Sequence, residues 1–447
     1  MTTEAAELDN PIKHLTAEQL DQLGRRFDAI HDKIYEDLGD RDRRYIVSMI
    51  EMHRRLGVFA RVELLGSELK ALWLLGTATL ASAKILENME IGHNVLHGQW
   101  DWMNDPAIHS TTWDWDTAST AEAWKHSHNF VHHTFTNIRG KDKDLGYEIM
   151  RIDPHQKWHP VYLLQPFYNV LLMLFFEWGV AFHDLDLEAV RKGEKDKDAL
   201  REELKGIAGK ARAQIVKDYV AWPLISAAAA GGVAGGLALA RGEGGKGWRD
   251  AFVRHAKRTF RRTVGADVAA NLLRNIWSNA IIFCGHFPDQ TWTFSQKDVE
   301  NETRGGWYVR QLLGAANIEG SPFFHVASGN LGYQVEHHLF PDMPSTRYAE
   351  IAPRVKAICE EYELPYNTGP FVKQWLMVQR TILRLAFPGG RPRPNPGPFR
   401  PAEGELEAAM ASMPPLQDAD GSGPPNEHGP GPEQADDGVR VSVPPPR

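Results

Sequence analysis

Four stretches of the chain are apolar enough to be considered as membrane elements, because a spanning helix needs about 20 mostly apolar residues. They run from Leu69 to Met89, Pro160 to Phe182, Asp218 to Ala240 and Val264 to His286. The third contains the most continuous apolar run, LISAAAAGGVAGGLALA. The fourth carries an arginine and three asparagines between positions 271 and 279, and polar groups at membrane depth usually face a protein interior. The pattern predicts an all-α integral-membrane bundle.

Polar segments flank these stretches at both ends of the chain. Residues 1–68 predict a soluble helical region, in which Thr16 and Gln19 form a capping box and Leu20, Leu23 and Phe27 recur at helical spacing. Residues 388–447 are rich in Pro, Gly, Asp and Glu, which predicts a disordered tail. The membrane domain is therefore expected at residues 69–387.

Composition excludes several classes of protein. The net charge of -8 gives no reason to expect nucleic acid as a partner. The two cysteines, Cys284 and Cys359, cannot make a disulfide framework or an iron–sulfur site. The acidic first ten residues have no apolar core, so we expect no secretory signal peptide.

Histidines are concentrated in three clusters, with a further one at the end of the fourth apolar stretch. The clusters are HNVLH (His93 and His97), HNFVHH (His128, His132 and His133) and QVEHH (His337 and His338), and the further histidine is His286. On a helix, residues i and i+4 share a face, so His93 with His97, and His128 with His132, can each face one metal. Adjacent histidines diverge and can serve two metals, and imidazole suits iron, copper, zinc and nickel. Eight histidines are more than the four ligands of one tetrahedral zinc site, and they are enough to bind two metal ions.

Motifs of other metal-binding and nucleotide-binding proteins have less support in this sequence than the histidine clusters. Carboxylate-bridged di-iron bundles need ExxH motifs from two helices, and the chain has one such match, at Glu90 and His93. The HExxH motif of zinc proteases is absent. The stretch 242–247 matches GxGxxG, but it follows a membrane segment rather than a strand and is interpreted as a turn.

The three clusters, in this order, resemble the histidine boxes of membrane fatty acid desaturases. The contexts NMEIGHNVLHGQWDWM, WKHSHNFVHHTFTN, IIFCGHFPD and NLGYQVEHHLFPDMP are also similar, and the resemblance covers roughly residues 65–385. It is greatest to bacterial acyl-CoA or acyl-lipid desaturases without a fused electron-carrier domain. The resemblance implies a cytoplasmic helical cap that holds a di-iron site, with O2 as co-substrate and a cis double bond as product.

The resemblance also assigns roles residue by residue. The implied iron ligands are His93, His97, His128, His132, His133, His286, His337 and His338. Gln334 stands where some relatives have histidine, and either binds metal or hydrogen-bonds a ligand. Asn330 is a candidate for holding a metal-bound water. His126, His183 and His325 are interpreted as structural or supporting residues. Ligating histidines need hydrogen-bond partners, for which Asp142, Asp144, Asn137 and Glu336 are candidates.

Other partners follow from the same resemblance. The substrate is expected to be an acyl-CoA or an acyl-lipid, with a delta-9 product as one possibility. Arg139, Lys141 and Lys143 either meet the phosphates of CoA or form a solvated basic turn. No His-Pro-Gly-Gly haem motif is present, so electrons are expected from an external ferredoxin or flavin reductase. The location is a bacterial cell membrane, with the active site facing the cytoplasm.

Topology constrains the apolar stretches, because all ligands must lie on one side of the membrane. A fully crossing 160–182 stretch would put His286 opposite the second box, so this stretch is predicted to be interfacial or re-entrant. The third and fourth stretches then form a hairpin, joined by a basic loop at 241–262 that faces outward against the positive-inside tendency.

Two other functions remain open at this stage. A di-iron fatty acid hydroxylase or ketolase would use the same ligands. A non-catalytic membrane metal or haem protein is the alternative of another class, although haem iron needs only one or two axial histidines.

Overall fold

The computed structural model describes residues 14–391, 395–402 and 404–411. The described residues form a mainly helical fold, as predicted. The α-helices are α1 (Ala17–Glu36), α2 (Asp40–Leu65), α3 (Lys70–Ile85), α4 (Asn94–Leu96), α5 (Ala121–Trp124), α6 (His133–Phe135), α7 (Gln165–Leu174), α8 (Phe176–His183), α9 (Leu187–Lys192), α10 (Lys197–Ile215), α11 (Trp222–Ala240), α12 (Gly244–His286), α13 (Arg304–Gly314), α14 (Pro322–Ala327), α15 (Gln334–Leu339), α16 (Tyr348–Glu361), α17 (Phe371–Leu385) and α18 (Glu405–Ala411).

Shorter or wider helical segments connect several of these helices. Three are π-helical, at Leu86–His93, Lys125–His132 and Val216–Ala221. Five are 3-10 helices, at Asp101–Met103, Leu145–Glu148, Pro160–Leu164, Leu331–Tyr333 and Ser345–Arg347. Strands β1 (Asn317–Glu319) and β2 (Thr368–Pro370) pair in parallel and form the one sheet among the described residues.

Helix α1 begins as predicted, with a capping box between Thr16 and Gln19. Its apolar face is buried: Leu23 and Phe27 are both 0% exposed, and the ring of Phe27 lies 5.0 Å from that of Tyr308 in α13. The N-terminal helix therefore packs on α13, which in turn contacts α15, the helix that carries the third histidine cluster.

Two long helical units dominate the fold. Residues Lys197–Ala240 form one continuous helix, and this is the one helix among the described residues that is long and apolar enough to cross a membrane. Helix α12 has 43 residues and packs along α11. At about 1.5 Å per residue, α12 extends roughly 65 Å, about twice the thickness of the hydrocarbon core of a bilayer.

The predicted loop at 241–262 was wrong. The chain turns within Arg241–Glu243, and α12 begins at Gly244, so most of the basic run is helical. Ala251 and Thr259 are buried on this helix, while the charged side chains between them are exposed. The basic residues therefore occupy the outer face of an amphipathic helix rather than a loop. The predicted turn in 242–247 is confirmed at its start, where Gly242 and Gly244 have positive φ.

Buried ion pairs join the helices around the first and fourth apolar stretches. Arg61 of α2 lies 2.8 Å from Asp267 of α12, and Lys84 of α3 lies 2.7 Å from Asp218. All four residues are buried, and charges are tolerated inside a protein only when paired. Lys84 and Asp267 lower the mean hydropathy of the first and fourth stretches, and among the described residues neither stretch meets the length and composition of a spanning helix.

The 160–182 stretch is broken into short pieces: the 3-10 turn, then α7, then α8 after a kink at Phe175. A ten-residue helix rises only about 15 Å, so none of these pieces can span a bilayer. On the inner side, Asn169 bonds Gln379 of α17 at 3.0 Å, whereas Leu164 and Phe167 are more than half exposed. The stretch is therefore amphipathic, and its interfacial or re-entrant placement stays a prediction.

Part of the predicted C-terminal tail lies against the folded chain. The N–H of Phe399 donates to the carbonyl of Leu364 at 2.9 Å, and α18 packs on α16. Residues 412–447, which make up most of the predicted disordered tail, lie outside the described residues.

Candidate metal centre

Eight histidines from four parts of the chain meet in one region. His93 ends the π-helical segment after α3, His128 and His132 lie on the second π-helical segment, and His286 is the last residue of α12. The remaining members are His97, His133, His337 and His338. Seven of the eight are buried and His128 is half-buried. The structure thus brings together all eight histidines that the sequence analysis singled out.

The histidines divide into two groups of potential metal ligands. His93, His97, His128 and His337 form the first group, and His132, His286 and His338 form the second. Within each group, all the ligand atoms lie within 4.8 Å of one another. We name these the first and second histidine groups.

The two histidine pairs at helical spacing differ in arrangement. His93 and His97 share the first histidine group, whereas His128 lies in the first group and His132 in the second, and both also lie close to Asp144. The rings of His128 and His132 are stacked, with centroids 5.0 Å apart, and the nearly parallel rings do not converge on one metal position. The segment that carries them is π-helical, and its wider turn changes the direction of residues four apart.

His133 lies between the two groups. Its ring centroid is 4.8 Å from that of His97 in the first group and 4.6 Å from that of His338 in the second. Both of its ring nitrogens are buried without a hydrogen-bond partner. Its position suits a ligand of either ion.

The Nδ1 atoms of five histidines have hydrogen-bond partners that fix the rings. Asp144 lies 3.1 Å from Nδ1 of His128, and Asp142 lies 3.1 Å from Nδ1 of His132, which confirms these two predicted partners. The other three pairs are Asn94 with His93, Tyr348 with His337 and Gln311 with His338. Such partners set the tautomer and direct Nε2 toward a metal.

The other predicted supporting residues act elsewhere. Asn137 donates its backbone N–H to Asp142 at 2.7 Å, so it holds a partner rather than a ligand. Glu336 bonds Tyr366 and Asn317 instead of a histidine. Of the three histidines interpreted as supporting residues, His183 bonds Asp144 at 3.0 Å.

Unsatisfied ring nitrogens provide a test of whether a metal fits. Six histidines have a buried Nε2 without a partner: His97, His128, His132, His133, His337 and His338. Each unsatisfied buried polar atom costs about 1–3 kcal/mol, so a cluster of six needs an explanation. Burial lowers the pKa of His97 well below its usual value, which keeps that ring in the neutral form that binds metals. The donor set fits two metal ions.

Gln334 and Asn330 differ in their relation to this centre. Gln334 is buried, its Nε2 lies 3.1 Å from Nε2 of His286, and its Oε1 has no partner. Asn330 is held in a left-handed conformation with φ 56°, and its Nδ2 donates to Glu90 at 3.0 Å. Gln334 therefore stands at the edge of the second histidine group, whereas the amide of Asn330 is used in a separate polar cluster.

A cavity adjoins the first histidine group, and His93 and His128 form part of its wall. Aromatic and aliphatic side chains line much of the remainder: Met89, Trp115, Trp124, Tyr147, Phe176, Val180 and Ile282. Polar side chains also line it, including Glu177 and Asn275. A mainly apolar cavity next to a potential metal centre suits an apolar substrate.

The basic residues after the second box are engaged in the structure. Arg139 forms an ion pair with Asp153 at 3.1 Å, and Lys143 forms one with Asp186. Lys141 lies over the ring of Phe135. These contacts favour the alternative of a basic turn over a phosphate site.

Comparison with known proteins identifies the family. The fatty acid desaturase family model matches residues 70–370. The NADPH-dependent stearoyl-CoA 9-desaturase of Mycobacterium tuberculosis is 43% identical over 382 residues, which cover 86% of this chain and 83% of that protein. The sn-1 linoleoyl-lipid 6-desaturase of Synechocystis is 26% identical over 309 residues, covering 67% of this chain and 76% of that protein.

Human fatty acid desaturase 3 is 34% identical over 115 residues, which cover 26% of this chain and 24% of that protein. No solved structure matches this chain. The predicted resemblance is confirmed, and the chain belongs to the fatty acid desaturase family, as an oxidoreductase that desaturates fatty acyl chains.

Proposed function

We propose that this desaturase inserts a cis double bond at the ninth carbon of a long-chain acyl-CoA. The reaction would use O2, two iron ions and electrons from an external ferredoxin or flavin reductase. The relative from Mycobacterium tuberculosis, whose name specifies stearoyl-CoA and position 9, supports this choice over an acyl-lipid substrate. The weaker match to an acyl-lipid desaturase supports an acyl lipid as the alternative substrate.

The observation that carries the proposal is the set of six buried Nε2 atoms without partners. The first iron would be held by His93, His97, His128 and His337, and the second by His132, His286 and His338. His133 would complete either set. Imidazole is a suitable ligand for iron. When bound, the iron pair supplies the O2-dependent oxidising chemistry that removes hydrogen from an unactivated methylene.

The protein's own contribution begins with orientation. Asp142, Asp144, Tyr348 and Gln311 each bond an Nδ1 atom, so the rings cannot rotate away from the centre. Burial of Asp142 and Gln311 excludes water from these contacts. The ligands would therefore be held in place before any metal binds.

Gln334 is proposed to complete the second histidine group. Its unpartnered Oε1 is the acceptor that a metal or a metal-bound water would use, and its Nε2 faces His286. Nothing else among the described residues bonds Oε1, which favours a role at the metal over a role in packing.

The acyl chain would occupy the cavity beside His93 and His128. Burial of methylene groups there contributes about 0.8 kcal/mol per CH2. Trp124 stacks on His128 with ring centroids 4.6 Å apart, so it can align the chain beside the first histidine group. Glu177, which lines the cavity and pairs with Arg274, would limit how far an apolar chain can enter.

Membrane attachment is proposed to involve the apolar hairpin and the broken 160–182 segment, with the histidine groups facing the cytoplasm of a bacterial cell. The Lys197–Ala240 helix is apolar enough to cross a bilayer. Leu164 and Phe167, both more than half exposed, suit an interfacial segment. Lipid would cover these surfaces.

Expression with a compatible reductase, followed by gas chromatography of total fatty acids, tests the proposal. We expect a new cis-9 monounsaturated acid that disappears with His132→Ala. A hydroxy acid as the main product would support the sister hydroxylase reaction instead. Metal analysis of the purified protein should find two irons per chain and no Soret band, and absence of iron would contradict the proposed centre.

A further inference from the structure

The apolar helix α11 is packed side by side with the basic first part of α12. The two helices are antiparallel, and glycines of α11 allow them to approach closely. A Cβ atom at Gly235 would lie 2.7 Å from the side chain of Trp248, and one at Gly231 would lie 3.0 Å from Phe252. Residues 222–262 therefore form one two-helix unit, which we name the α11–α12 hairpin.

The two helices of this hairpin expose opposite kinds of side chains. Helix α11 has no charged residue, and Leu224, Ile225, Val233 and Leu237 are each more than half exposed. The part of α12 beside it, residues 244–262, has one acidic residue and seven basic ones: Lys246, Arg249, Arg254, Lys257, Arg258, Arg261 and Arg262. The hairpin thus combines an apolar surface on α11 with a basic surface on α12.

Most of the basic side chains have no partner of opposite charge. Five are exposed and form no ion pair with any residue that the structure describes: Lys246, Arg249, Arg254, Lys257 and Arg261. By contrast, Arg258 pairs with Glu68 at 3.3 Å. Residues three and four apart share a helix face and repel one another when they carry like charges, which applies to positions 254, 257 and 261. An anionic surface that neutralises them would therefore be bound favourably.

The side-by-side packing argues against a hairpin that crosses the bilayer. If α11 spanned the hydrocarbon core, the neighbouring part of α12 would lie at the same depth. Lysine and arginine are costly at membrane depth, and there they normally face a protein interior. The five unpaired basic side chains instead face away from the protein.

A hairpin that lies in the plane of the membrane surface avoids this conflict. Packed helices are about 8–10 Å apart, and each headgroup layer of a bilayer is about 5–8 Å thick. With α11 just below the boundary of the acyl chains, where interfacial helices lie, α12 reaches the level of the lipid phosphates. The exposed aliphatic side chains of α11 then contact acyl chains, and the basic side chains of α12 contact phosphates.

We propose that the α11–α12 hairpin lies along the surface of a bilayer that contains anionic phospholipid. Helix α11 is immersed among the acyl chains, and the basic surface of α12 binds the headgroups. The proposal rests on the membrane attachment proposed above and specifies its form. The hairpin is an electrostatic anchor rather than a pair of spanning helices, so its binding depends on headgroup charge and on salt.

The first test locates the tip of the hairpin. Gly245→Cys places a thiol at the exposed start of α12, where a Cβ atom meets nothing within 4 Å. Ala199→Cys places one on the polar helix α10, and the native Cys284 and Cys359 are buried. The full-length proteins are treated with a membrane-impermeant maleimide in spheroplasts and in inside-out vesicles. We expect both added thiols to react from the same side, and reaction from opposite sides would overturn the proposal.

The second test measures binding of the full-length protein to vesicles by flotation. The vesicles contain either phosphatidylcholine alone or equal parts of phosphatidylcholine and phosphatidylglycerol. The test variant combines Arg254→Gln, Lys257→Gln and Arg261→Gln. The matched control combines Lys197→Gln, Arg201→Gln and Arg212→Gln, which make the same change of charge at exposed positions of α10.

Each lysine or arginine near an anionic surface contributes about a fivefold factor in affinity. We therefore expect the α12 variant to bind the mixed vesicles about 100-fold more weakly than wild type, and added salt to weaken wild-type binding. The α10 control should bind like wild type. Unchanged binding of the α12 variant, or an equal loss in the control, would overturn the proposal and leave the basic surface to an acidic protein.

The two tests are independent of each other and of catalysis. The labelling experiment keeps every basic side chain, so it remains decisive even if the charge variants fold poorly, which their Tm reports. Neither measurement uses acyl substrate or turnover. Failure of the proposed desaturation would therefore leave both results unchanged.

Discussion

Both carboxylate oxygens of Asp142 lie 3.1 Å from Nδ1 of His132. The backbone N–H of Asn137 holds one of these oxygens at 2.7 Å, so the carboxylate cannot turn away from the ring. His132 belongs to the second histidine group and has an unpartnered Nε2. The pair therefore acts as a unit that presents one nitrogen to a metal.

The first prediction concerns this pair. Asp142→Asn removes the charge that orients His132, and loss of such a partner typically lowers metal affinity or activity 10–100-fold. We expect a loss of that size in iron affinity, measured by chelator competition. Asp153→Asn is the control, because Asp153 is equally buried but pairs with Arg139 and His155. A similar loss of iron affinity in the control would contradict the assignment.

The second prediction concerns Gln334. Replacing it by alanine removes the unpartnered Oε1 beside His286 and leaves space at the edge of the second histidine group. We expect weaker binding of one iron per chain, while the other is retained. Gln334→His should keep both irons, because imidazole can serve as the ligand. Iron titration by absorbance measures the two affinities, and unchanged binding in Gln334→Ala would exclude a role at the metal.

The third prediction concerns the cavity. Val180→Phe should fill part of the cavity beside the first histidine group and shift the product profile toward shorter acyl chains. Val170→Phe makes the same change on α7, where Val170 is 44% exposed, and should leave the profile unaltered. Gas chromatography of products from mixed acyl-CoA substrates distinguishes the two. Unchanged chain-length preference in Val180→Phe would argue against this cavity as the acyl site.

The fourth prediction concerns the buried ion pair between Arg61 and Asp267. Arg61→Ala leaves Asp267 buried without its cation, and breaking a buried pair typically destabilises a protein by about 3–5 kcal/mol. We expect a lower Tm in detergent and partial recovery in the double variant Arg61→Ala with Asp267→Ala. Arg54→Ala, at an exposed position of the same helix, should have little effect. No recovery in the double variant would show that packing, rather than charge, dominates.

The fifth prediction concerns removal of the metal. Anaerobic chelation should leave the buried Nε2 atoms unsatisfied again, and loss of a tightly bound ligand lowers stability by mass action. We expect Tm to fall by about 5 °C or more and to recover when ferrous iron is restored. An unchanged Tm after chelation would mean that the histidine groups do not bind iron in the folded protein.

The histidine groups were predictable because the histidines of each box lie close together in the sequence. Boxes such as His93 with His97 repeat at helical spacing, and the order of the boxes along the chain carried the family resemblance. The partners Asp142 and Asp144 could be proposed because these carboxylates follow His133, the end of the second box, by 9 and 11 residues. The chain between them folds back, which places them beside His132 and His128.

Other parts of the site depend on tertiary contacts that spacing does not reveal. Gln311 reaches His338 only because α13 packs against α15, and nothing near Gln311 in the sequence indicates a metal site. The π-helical turn that divides His128 from His132 has no evident signature in its residues. The helical run of basic residues after Gly244 resembled a loop because its buried positions are small and widely spaced.

The spread of the candidate ligands along the chain has a consequence for biosynthesis. The first, His93, emerges early from the ribosome, whereas the last, His338, follows only after about three quarters of the 447 residues have been made. Neither histidine group is complete before then, because His337 belongs to the first and His338 to the second. Iron would therefore enter late, and a nascent chain stalled before residue 337 would remain an incomplete chelator.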